Sequence, residues 1–205
     1  MNEKTKIVFD EAKAEAFADH IVGALNGAAL ALMTSLGHRT NLFDVFATMA
    51  NATSEELADR AGLAERYVRE WLGVMVTSGV VDYEPQSKIY TLPAEHAAFL
   101  TRAASPNNLA VTSQFIGVVA SVEEEMLARF RDGAGTHYQH YGRFHEVMAE
   151  DSGQTVVAAL TDQILPLVPG LIDQLESGID VLDVGCGAGR AMMQLAKTYP
   201  ASHFT

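Results

Sequence analysis

A run of alternating glycines is the part of this sequence whose residue types and spacing could do chemistry. Residues Ile179–Arg190 read IDVLDVGCGAGR, so Asp183 is followed by glycines at positions 185, 187 and 189. Only glycine adopts the backbone angles that such a loop needs while leaving room for a ligand against the backbone. The β-branched run before the loop and the helical segment after it indicate a strand–loop–helix unit. The pattern therefore predicts a ligand site at the peptide backbone.

The residues that surround the glycines restrict the kind of ligand. A phosphate-binding P-loop ends in Gly-Lys-Ser or Gly-Lys-Thr, but Arg190 and Ala191 follow the last glycine here. The dinucleotide pattern G-x-G-x-x-G also fails, because its last position is Arg190 when counted from Gly185 and Met192 when counted from Gly187. The remaining interpretations are an acid followed by three alternating glycines, or a tight turn whose glycines are a coincidence.

The acid-x-G-x-G-x-G pattern resembles the first motif of class I S-adenosylmethionine (SAM)-dependent methyltransferases. SAM has no pyrophosphate, and its methionine end carries an ammonium group that the carboxylate of Asp183 would attract. Cys186 lies between two glycines and would face the cofactor with its backbone rather than its thiol. The resemblance implies SAM as the cofactor, bound by Asp183, Gly185, Cys186, Gly187 and Gly189.

A second segment extends this resemblance. Residues 142–152, GRFHEVMAEDS, are similar to the F-N-x-x-M…S helix of small-molecule O-methyltransferases, which also carry an N-terminal winged-helix dimerisation domain. The resemblance implies that Phe144 and Met148 line the pocket near the reactive methyl group and that Ser152 contacts the methionine end of the cofactor. His145 stands where the family more often has Asn, so no role is carried over to it. An apolar pair four residues apart is equally typical of ordinary core packing.

Three histidines, His137, His140 and His145, lie near two glutamates and could suggest a metal site. They form no H-E-x-x-H pattern and have no cysteine partner, so we predict no metal ligand in this chain. Tyr138 and Tyr141 are expected to flank the entrance to the cofactor site. No catalytic residue is predicted within these residues.

The N-terminal elements suggest an interface between two copies of the chain. Residues 10–36 are expected to form one long helix that ends at Gly37. A helix of this length with a face of small residues favours a homodimer interface over the simpler alternative of ordinary core packing. Its apolar stripe comprises Phe17, Ile21, Leu25, Leu32 and Leu36.

A winged-helix module is expected next. Thr53 and Glu56 have the spacing of a capping box, which predicts a helix from Ser54 to Gly62. A second helix is expected over residues 65–78 and a β-hairpin over residues 80–92, which completes the winged-helix order. The buried stripe of the second helix is predicted to comprise Val68, Trp71, Leu72 and Met75. Acids balance the few basic residues of this module, which disfavours DNA binding.

The second half is expected to alternate helices with breaks. We predict helices over 93–101, 109–131, 142–150 and 154–165 and a helical turn over 171–175, with a Pro- and Asn-rich break at 105–108. Residues 179–184 are expected to form a buried parallel strand, 190–198 a helix and 203–205 the start of a second strand. The predicted fold is a mainly α N-terminal winged-helix/dimerisation domain followed by the start of an α/β Rossmann-like methyltransferase domain.

Three regions follow from this reading of the 205 residues. Residues 1–105 form the helical winged-helix dimerisation domain, 106–177 a helical connector that contributes to the cofactor and substrate pocket, and 178–205 the first βα unit and the start of a second strand. An acid that binds the ribose is usual about 20 residues beyond the glycines. We therefore expect it after Thr205, and we expect this chain by itself to be inactive.

Composition excludes several classes of protein. The chain is 48% hydrophobic with a net charge of −12, which argues against wholesale disorder and against non-specific binding to nucleic acid. Its single cysteine, Cys186, allows no internal disulfide, which favours a cytoplasmic location. The first 20 residues lack the apolar stretch of a signal peptide, and no run of about 18 apolar residues predicts a membrane span.

Together these observations predict that the full-length protein is a cytoplasmic, homodimeric methyltransferase that transfers a methyl group from SAM to a small-molecule acceptor. The alternative is a winged-helix transcriptional regulator whose C-terminal domain senses a ligand. A third interpretation is a dimerisation scaffold without catalytic activity.

Overall fold

The computed structural model describes residues 9–205. Residues 1–8, on which the expectation of no signal peptide partly rests, lie outside the described residues. The N-terminal elements are α1 (Glu11–Arg39), α2 (Leu42–Phe46), α3 (Ser54–Ala61), α4 (Glu65–Thr77), β1 (Asp82–Glu84), β2 (Ile89–Thr91) and α5 (Ala94–Ala97). They are followed by α6 (Gln114–Ala120), α7 (Glu123–Asp132), α8 (Phe144–Gln154), α9 (Val156–Ala159), α10 (Leu171–Ser177), β3 (Asp180–Val181), α11 (Arg190–Thr198) and β4 (His203–Phe204).

The winged-helix module forms as the sequence predicts. The hydroxyl of Thr53 accepts from the backbone N–H of Glu56 at 3.2 Å, and the Glu56 carboxylate accepts from the N–H of Thr53 at 2.8 Å, so α3 begins at a capping box. Helix α4 follows, and β1 and β2 pair antiparallel with Asp82 opposite Thr91. The order helix, helix and hairpin is that of a winged helix.

One apolar core holds this module together. The predicted stripe of α4 is buried, and Trp71 packs edge-on against Phe43 with ring centroids 5.1 Å apart. The indole N–H of Trp71 donates to the carbonyl oxygen of Met33 at 2.9 Å, so its polar atom is satisfied against α1. The same core includes Phe46, Leu57, Leu72 and Met75, all fully buried, and also Ala110 from the segment before α6.

Helix α1 does not end where the sequence predicts. It continues through Gly37 to Arg39, because Gly37 has an ordinary helical conformation and its missing side chain admits two aromatic rings. A Cβ atom at this position would lie 2.7 Å from the rings of both Phe43 and Trp71. The glycine is therefore a packing residue, and the turn falls at Thr40 and Asn41, where Asn41 adopts the left-handed conformation.

The apolar stripe of α1 faces away from the rest of the chain. Phe17 and Leu25 are each 65% exposed, and Ile21, Leu32 and Leu36 are also exposed. By length and composition α1 could cross a membrane, since its most apolar 18-residue window has a mean hydropathy of 1.4 and none of that window is buried. The helical segments 144–167 and 171–177 are long and apolar enough to cross a membrane only if they are counted together, and they are bent by 109° relative to each other. The expectation of no membrane-spanning segment stays a prediction.

The single helix predicted over residues 109–131 is wrong, because the structure has two helices, α6 and α7, separated at Ser121 and Val122. The hydroxyl of Ser121 donates to the carbonyl oxygen of Val118 at 2.7 Å. Such a local bond competes with the backbone bonds that would continue a helix. Helix α8 is also longer than predicted and extends to Gln154, which places Ser152 within it.

The last 28 residues form a βαβ unit. Strands β3 and β4 pair parallel, with Asp180 opposite His203, and the N–H of Asp183 donates to the carbonyl oxygen of Thr205 at 3.0 Å. Helix α11 spans the predicted residues and buries Leu195. The prediction of a buried strand is wrong for Leu182 and Val184, which are 70% and 87% exposed, because no element in residues 9–205 covers that face.

Candidate functional site

The glycine loop between β3 and α11 has the backbone that its composition predicts. Gly185, Gly187 and Gly189 have φ angles of 87°, 57° and 67°, which lie in the region that side chains of L-residues rarely adopt. The N–H of Gly189 donates to the carbonyl oxygen of Cys186 at 2.9 Å and closes the turn from which α11 starts. The loop thus exposes bare backbone at the start of a helix.

A cavity of about 530 Å³ lies between this loop and α8. The two segments that the sequence singled out, the glycine loop itself and residues 142–152 some 35 residues earlier, meet at this cavity. Its lining includes the predicted cofactor residues Met148, Ser152, Asp183, Gly185, Cys186 and Gly187. Their role in binding a cofactor stays a prediction, but the structure brings these six residues to one place.

Two of the predicted residues lie outside this lining. Gly189, the last glycine of the loop, is the N-cap residue of α11. Phe144 belongs to an aromatic cluster, with its ring centroid 5.3 Å from that of Tyr138 and 5.9 Å from that of Tyr141. These three rings and Thr136 line a neighbouring cavity of about 360 Å³. His145, to which no role was carried over, follows Phe144 and lines the larger cavity.

The side chain of Glu150 connects helix α8 to other parts of the chain. The carboxylate accepts from Nε2 of His38 on α1 at 2.9 Å and from the side-chain amide of Gln114 on α6 at 2.8 Å. Arg102 approaches the same carboxylate at 3.4 Å and also pairs with Asp44 on α2. His38 and Gln114 are buried, so this network joins α8 to the winged-helix module through groups that water does not solvate.

The network also decides the charge of Glu150. Burial by itself would raise the pKa of Glu150. The hydrogen bonds from Gln114 and His38, together with the positive charge of Arg102, outweigh burial and lower the pKa below its ordinary value. The group is therefore a carboxylate at neutral pH, and it accepts hydrogen bonds from α1, from α6 and from Arg102 in the segment between α5 and α6.

Sequence reasoning missed several residues of the cavity. Ala149, Val156 and Val157 contribute apolar lining, and Arg190 contributes a guanidinium at the start of α11. The position of Arg190 directly after the last glycine was the signal that could have identified it. Within residues 9–205 no group of three or more His, Cys, Asp or Glu side chains is arranged to hold a metal ion. His140 instead lies 3.4 Å from Glu125.

Comparison with known protein families supports the first half of this description. Residues 28–102 match the family described as the Rv2258c-like winged HTH domain. This range includes α2, α3, α4 and the hairpin, together with most of the apolar core. A search of curated proteins finds no match to the chain.

Solved structures with the same fold include three methyltransferases. Mitomycin 7-O-methyltransferase MmcR has a TM-score of 0.60 and 16% identity, covering 95% of this chain and 59% of its own length. Human N-acetylserotonin methyltransferase in complex with SAM has a TM-score of 0.58 and 14% identity, covering 100% and 60%. The riboflavin-derivative dimethyltransferase RosA from Streptomyces davawensis has a TM-score of 0.54 and 14% identity, covering 91% and 57%.

The fold and the position of the glycine loop define the class. The chain has a winged-helix domain followed by the start of a Rossmann-like domain, and it shares this fold with the solved methyltransferase structures, so the predicted fold class is confirmed. It spans about three fifths of the length of the methyltransferases whose fold it shares. At this level of identity the likeness establishes the fold alone.

Proposed function

We propose that the full-length protein transfers a methyl group from SAM to a small-molecule acceptor. The observation that carries this proposal is the single cavity into which both predicted motif segments converge, the glycine loop from one side and α8 from the other. Neither segment alone is specific, because glycine turns and apolar helical pairs occur for other reasons. Their meeting at a cavity of ligand size, on a fold that methyltransferases use, supports the proposal.

The residues of the cavity fit the cofactor. The glycines of the loop offer backbone without side chains, and Asp183, two residues after β3, lines the same cavity, where its carboxylate suits an ammonium group. The hydroxyl of Ser152 has no hydrogen-bond partner elsewhere in residues 9–205, so its donor and acceptor are free for a polar ligand. The volume of about 530 Å³ lies within the usual range for a small-molecule pocket.

Bound SAM would supply an electrophilic methyl group. The residues of this chain would bind and orient the cofactor: the loop and Asp183 hold one side, and Met148 and Ser152 on α8 hold the other. Holding two reactants in line can supply a large part of a rate enhancement without a dedicated acid or base in this part of the chain. The hydrogen bonds that His38 and Gln114 donate to Glu150 would hold α8 at a constant distance from the glycine loop.

Calorimetric titration of the full-length protein with SAM tests this proposal. Replacing Asp183 with Asn should weaken binding by about 1–3 kcal/mol, because a charge-assisted hydrogen bond is lost. Asp180→Asn is the matched control, since Asp180 is an exposed aspartate three residues earlier, in β3, that does not line the cavity. Absence of binding by the wild-type protein, or equal weakening by both variants, would contradict the proposal.

We also propose that the protein is a cytoplasmic homodimer. The exposed stripe of α1 supports the dimer, because large apolar side chains in a continuous row rarely face water in a monomer. The matched winged-helix family and the methyltransferase fold support it as well. The only cysteine, Cys186, is an exposed free thiol, which suits a reducing compartment.

The transcriptional regulator is the competing proposal. Arg69 is a basic residue of α4, the second helix of the winged-helix module. Its Nη1 lies 3.6 Å from Oε1 of Glu65 on the same helix, so part of its charge is already compensated. Two exposed acids, Asp82 and Glu84, also lie in β1 of the hairpin. A gel-shift titration against salt separates the two proposals, because a regulator should bind DNA specifically with a steep dependence on salt concentration.

A further inference from the structure

Arg190 connects the two sides of the cavity. It is the first residue of α11, directly after the glycine loop, and its Nη1 donates to the carbonyl oxygen of Ala149 on α8 at 2.6 Å. A Cβ atom at Gly153 would lie 2.7 Å from the same nitrogen. The guanidinium therefore lies directly against the backbone of α8, in space that Gly153 leaves open.

The remaining donors of this guanidinium have no acidic partner. Arginine carries five N–H donors, and the contact with Ala149 uses one of them. Across the described part of the chain, no carboxylate lies within ion-pair distance of Arg190. The side chain nevertheless lines the cavity together with Ser152 and Asp183. The cavity thus presents a cation, an anion and a free hydroxyl that do not neutralise one another.

We propose that Arg190, while its Nη1 contacts the backbone of α8, binds the α-carboxylate of the methionine end of the cofactor with its remaining donors. This inference rests on the proposed function. The amino-acid end of SAM has one negative and one positive group, and the cavity has one side chain of the opposite sign for each of them, Arg190 and Asp183. A planar guanidinium suits a carboxylate because two of its N–H groups can donate to the two oxygens.

The arrangement also gives Gly153 a role. An alanine there would push the guanidinium away from α8, since its Cβ would come within 2.7 Å of Nη1. The guanidinium is the far end of a flexible side chain and can move away from such a contact. Gly153→Ala should therefore displace the guanidinium of Arg190 without disrupting α8. The glycine would thereby set where the cation lies in the cavity.

Calorimetry with two ligands tests the inference on the full-length protein. S-adenosylhomocysteine has the amino-acid end, and 5′-methylthioadenosine has the same nucleoside and sulfur without it. Arg190→Gln should weaken binding of S-adenosylhomocysteine by about 10- to 100-fold, as expected for a hydrogen bond to a charged group. It should leave the affinity for 5′-methylthioadenosine unchanged, which also shows that the variant is folded. Lys197→Gln, which removes a cation from the last turn of α11, should change neither affinity.

Two further variants sharpen this test. Arg190→Lys keeps the charge but loses the planar pair of donors, so its affinity for S-adenosylhomocysteine should fall between those of the wild type and Arg190→Gln. Gly153→Ala should show the same selective loss in a weaker form. Equal weakening of both ligands by Arg190→Gln, or no effect on either, would overturn the carboxylate contact. If the wild-type protein binds neither ligand, the proposed function fails and this inference fails with it.

Discussion

At the scale of single residues, the loop glycines matter for their backbone angles rather than for space. No heavy atom lies within 4 Å of a Cβ atom built at Gly185, Gly187 or Gly189, so a side chain would meet no steric block from the chain itself. The positive φ angles are what exclude other residues, together with whatever ligand lies against the loop.

We expect Gly187→Val to abolish SAM binding by the full-length protein. Valine at a φ of 57° is strained by about 1–3 kcal/mol, so the loop would move to relieve the strain. Gly135→Val is a suitable control, because Gly135 has no such φ angle and equally open surroundings. Calorimetry that shows wild-type affinity for Gly187→Val would contradict the role given to the loop.

At the scale of the elements, α1 and α8 are positioned by close contacts that tolerate little change. Gly37 lets α1 approach two aromatic rings of the winged-helix core, and Glu150 ties α8 to α1 and α6 through buried polar groups. The contacts of Gly37 with Trp71 on α4 and of Glu150 with His38 on α1 join elements that are far apart in the chain.

Replacing Gly37 with alanine should destabilise the fold by about 1–3 kcal/mol, because an added methyl group would collide with Phe43 and Trp71. Urea unfolding measures this change. In the matched control Gly73→Ala, on an exposed face of α4 with nothing within 4 Å, alanine should stabilise the helix by roughly 0.5–1 kcal/mol. Equal effects of the two substitutions would show that Gly37 is not closely packed.

Glu150→Gln should lower the free energy of unfolding at neutral pH by about 1–3 kcal/mol, since a half-buried charged acceptor of hydrogen bonds is lost. The pKa of Glu150 is lower in the folded protein than its ordinary value of 4.5, so its contribution is present above that value and is lost as the pH falls through the folded-state pKa. The difference between variant and wild type should therefore shrink in acid.

Glu146→Gln is the control for this experiment. Glu146 lies on the same helix and its pKa is also lowered, chiefly by the hydrogen bond from Arg143, but its side chain is 63% exposed. Exposed pairs contribute little to stability, so this substitution should have little effect at neutral pH. A Glu150→Gln difference that stays constant between neutral and acid pH would show that the carboxylate form is not what the network requires.

At the scale of the whole molecule, residues 9–205 leave two apolar surfaces uncovered: the stripe of α1, and the side of the segment after β3 that carries Leu182 and Val184. The former lies at the winged-helix module and the latter beside the candidate cofactor site. We propose a second copy of the chain as the partner of the α1 stripe.

Leu25→Glu should convert the dimer into a monomer in light scattering, because it places a charge in the middle of the stripe. Phe130→Glu is the control, since Phe130 is 86% exposed on α7 and lies apart from the stripe in sequence. A monomeric wild-type protein at micromolar concentration would contradict the dimer. Flotation of the wild type with phosphatidylcholine vesicles would instead indicate that α1 inserts into lipid.

Local signals predicted the elements whose ends are determined by neighbouring residues. The capping box at Thr53, the hairpin of the wing and the extent of α11 all follow from short-range patterns. The break at Ser121 and the true end of α1 did not follow, because apolar periodicity continues across the first and a glycine resembles a stop at the second. In both cases a contact that periodicity does not encode decides the outcome.

The sequence by itself determined the winged-helix order, the glycine loop with its acid and the segment that carries Met148 and Ser152. Only the tertiary structure decided that these two segments share one cavity, that Phe144 lies in a neighbouring one and that Arg190 reaches across to α8. The physical reason is distance along the chain. Backbone angles and capping depend on adjacent residues, whereas a cavity depends on how α8 packs, and buried contacts from His38 and Gln114 hold that helix in place.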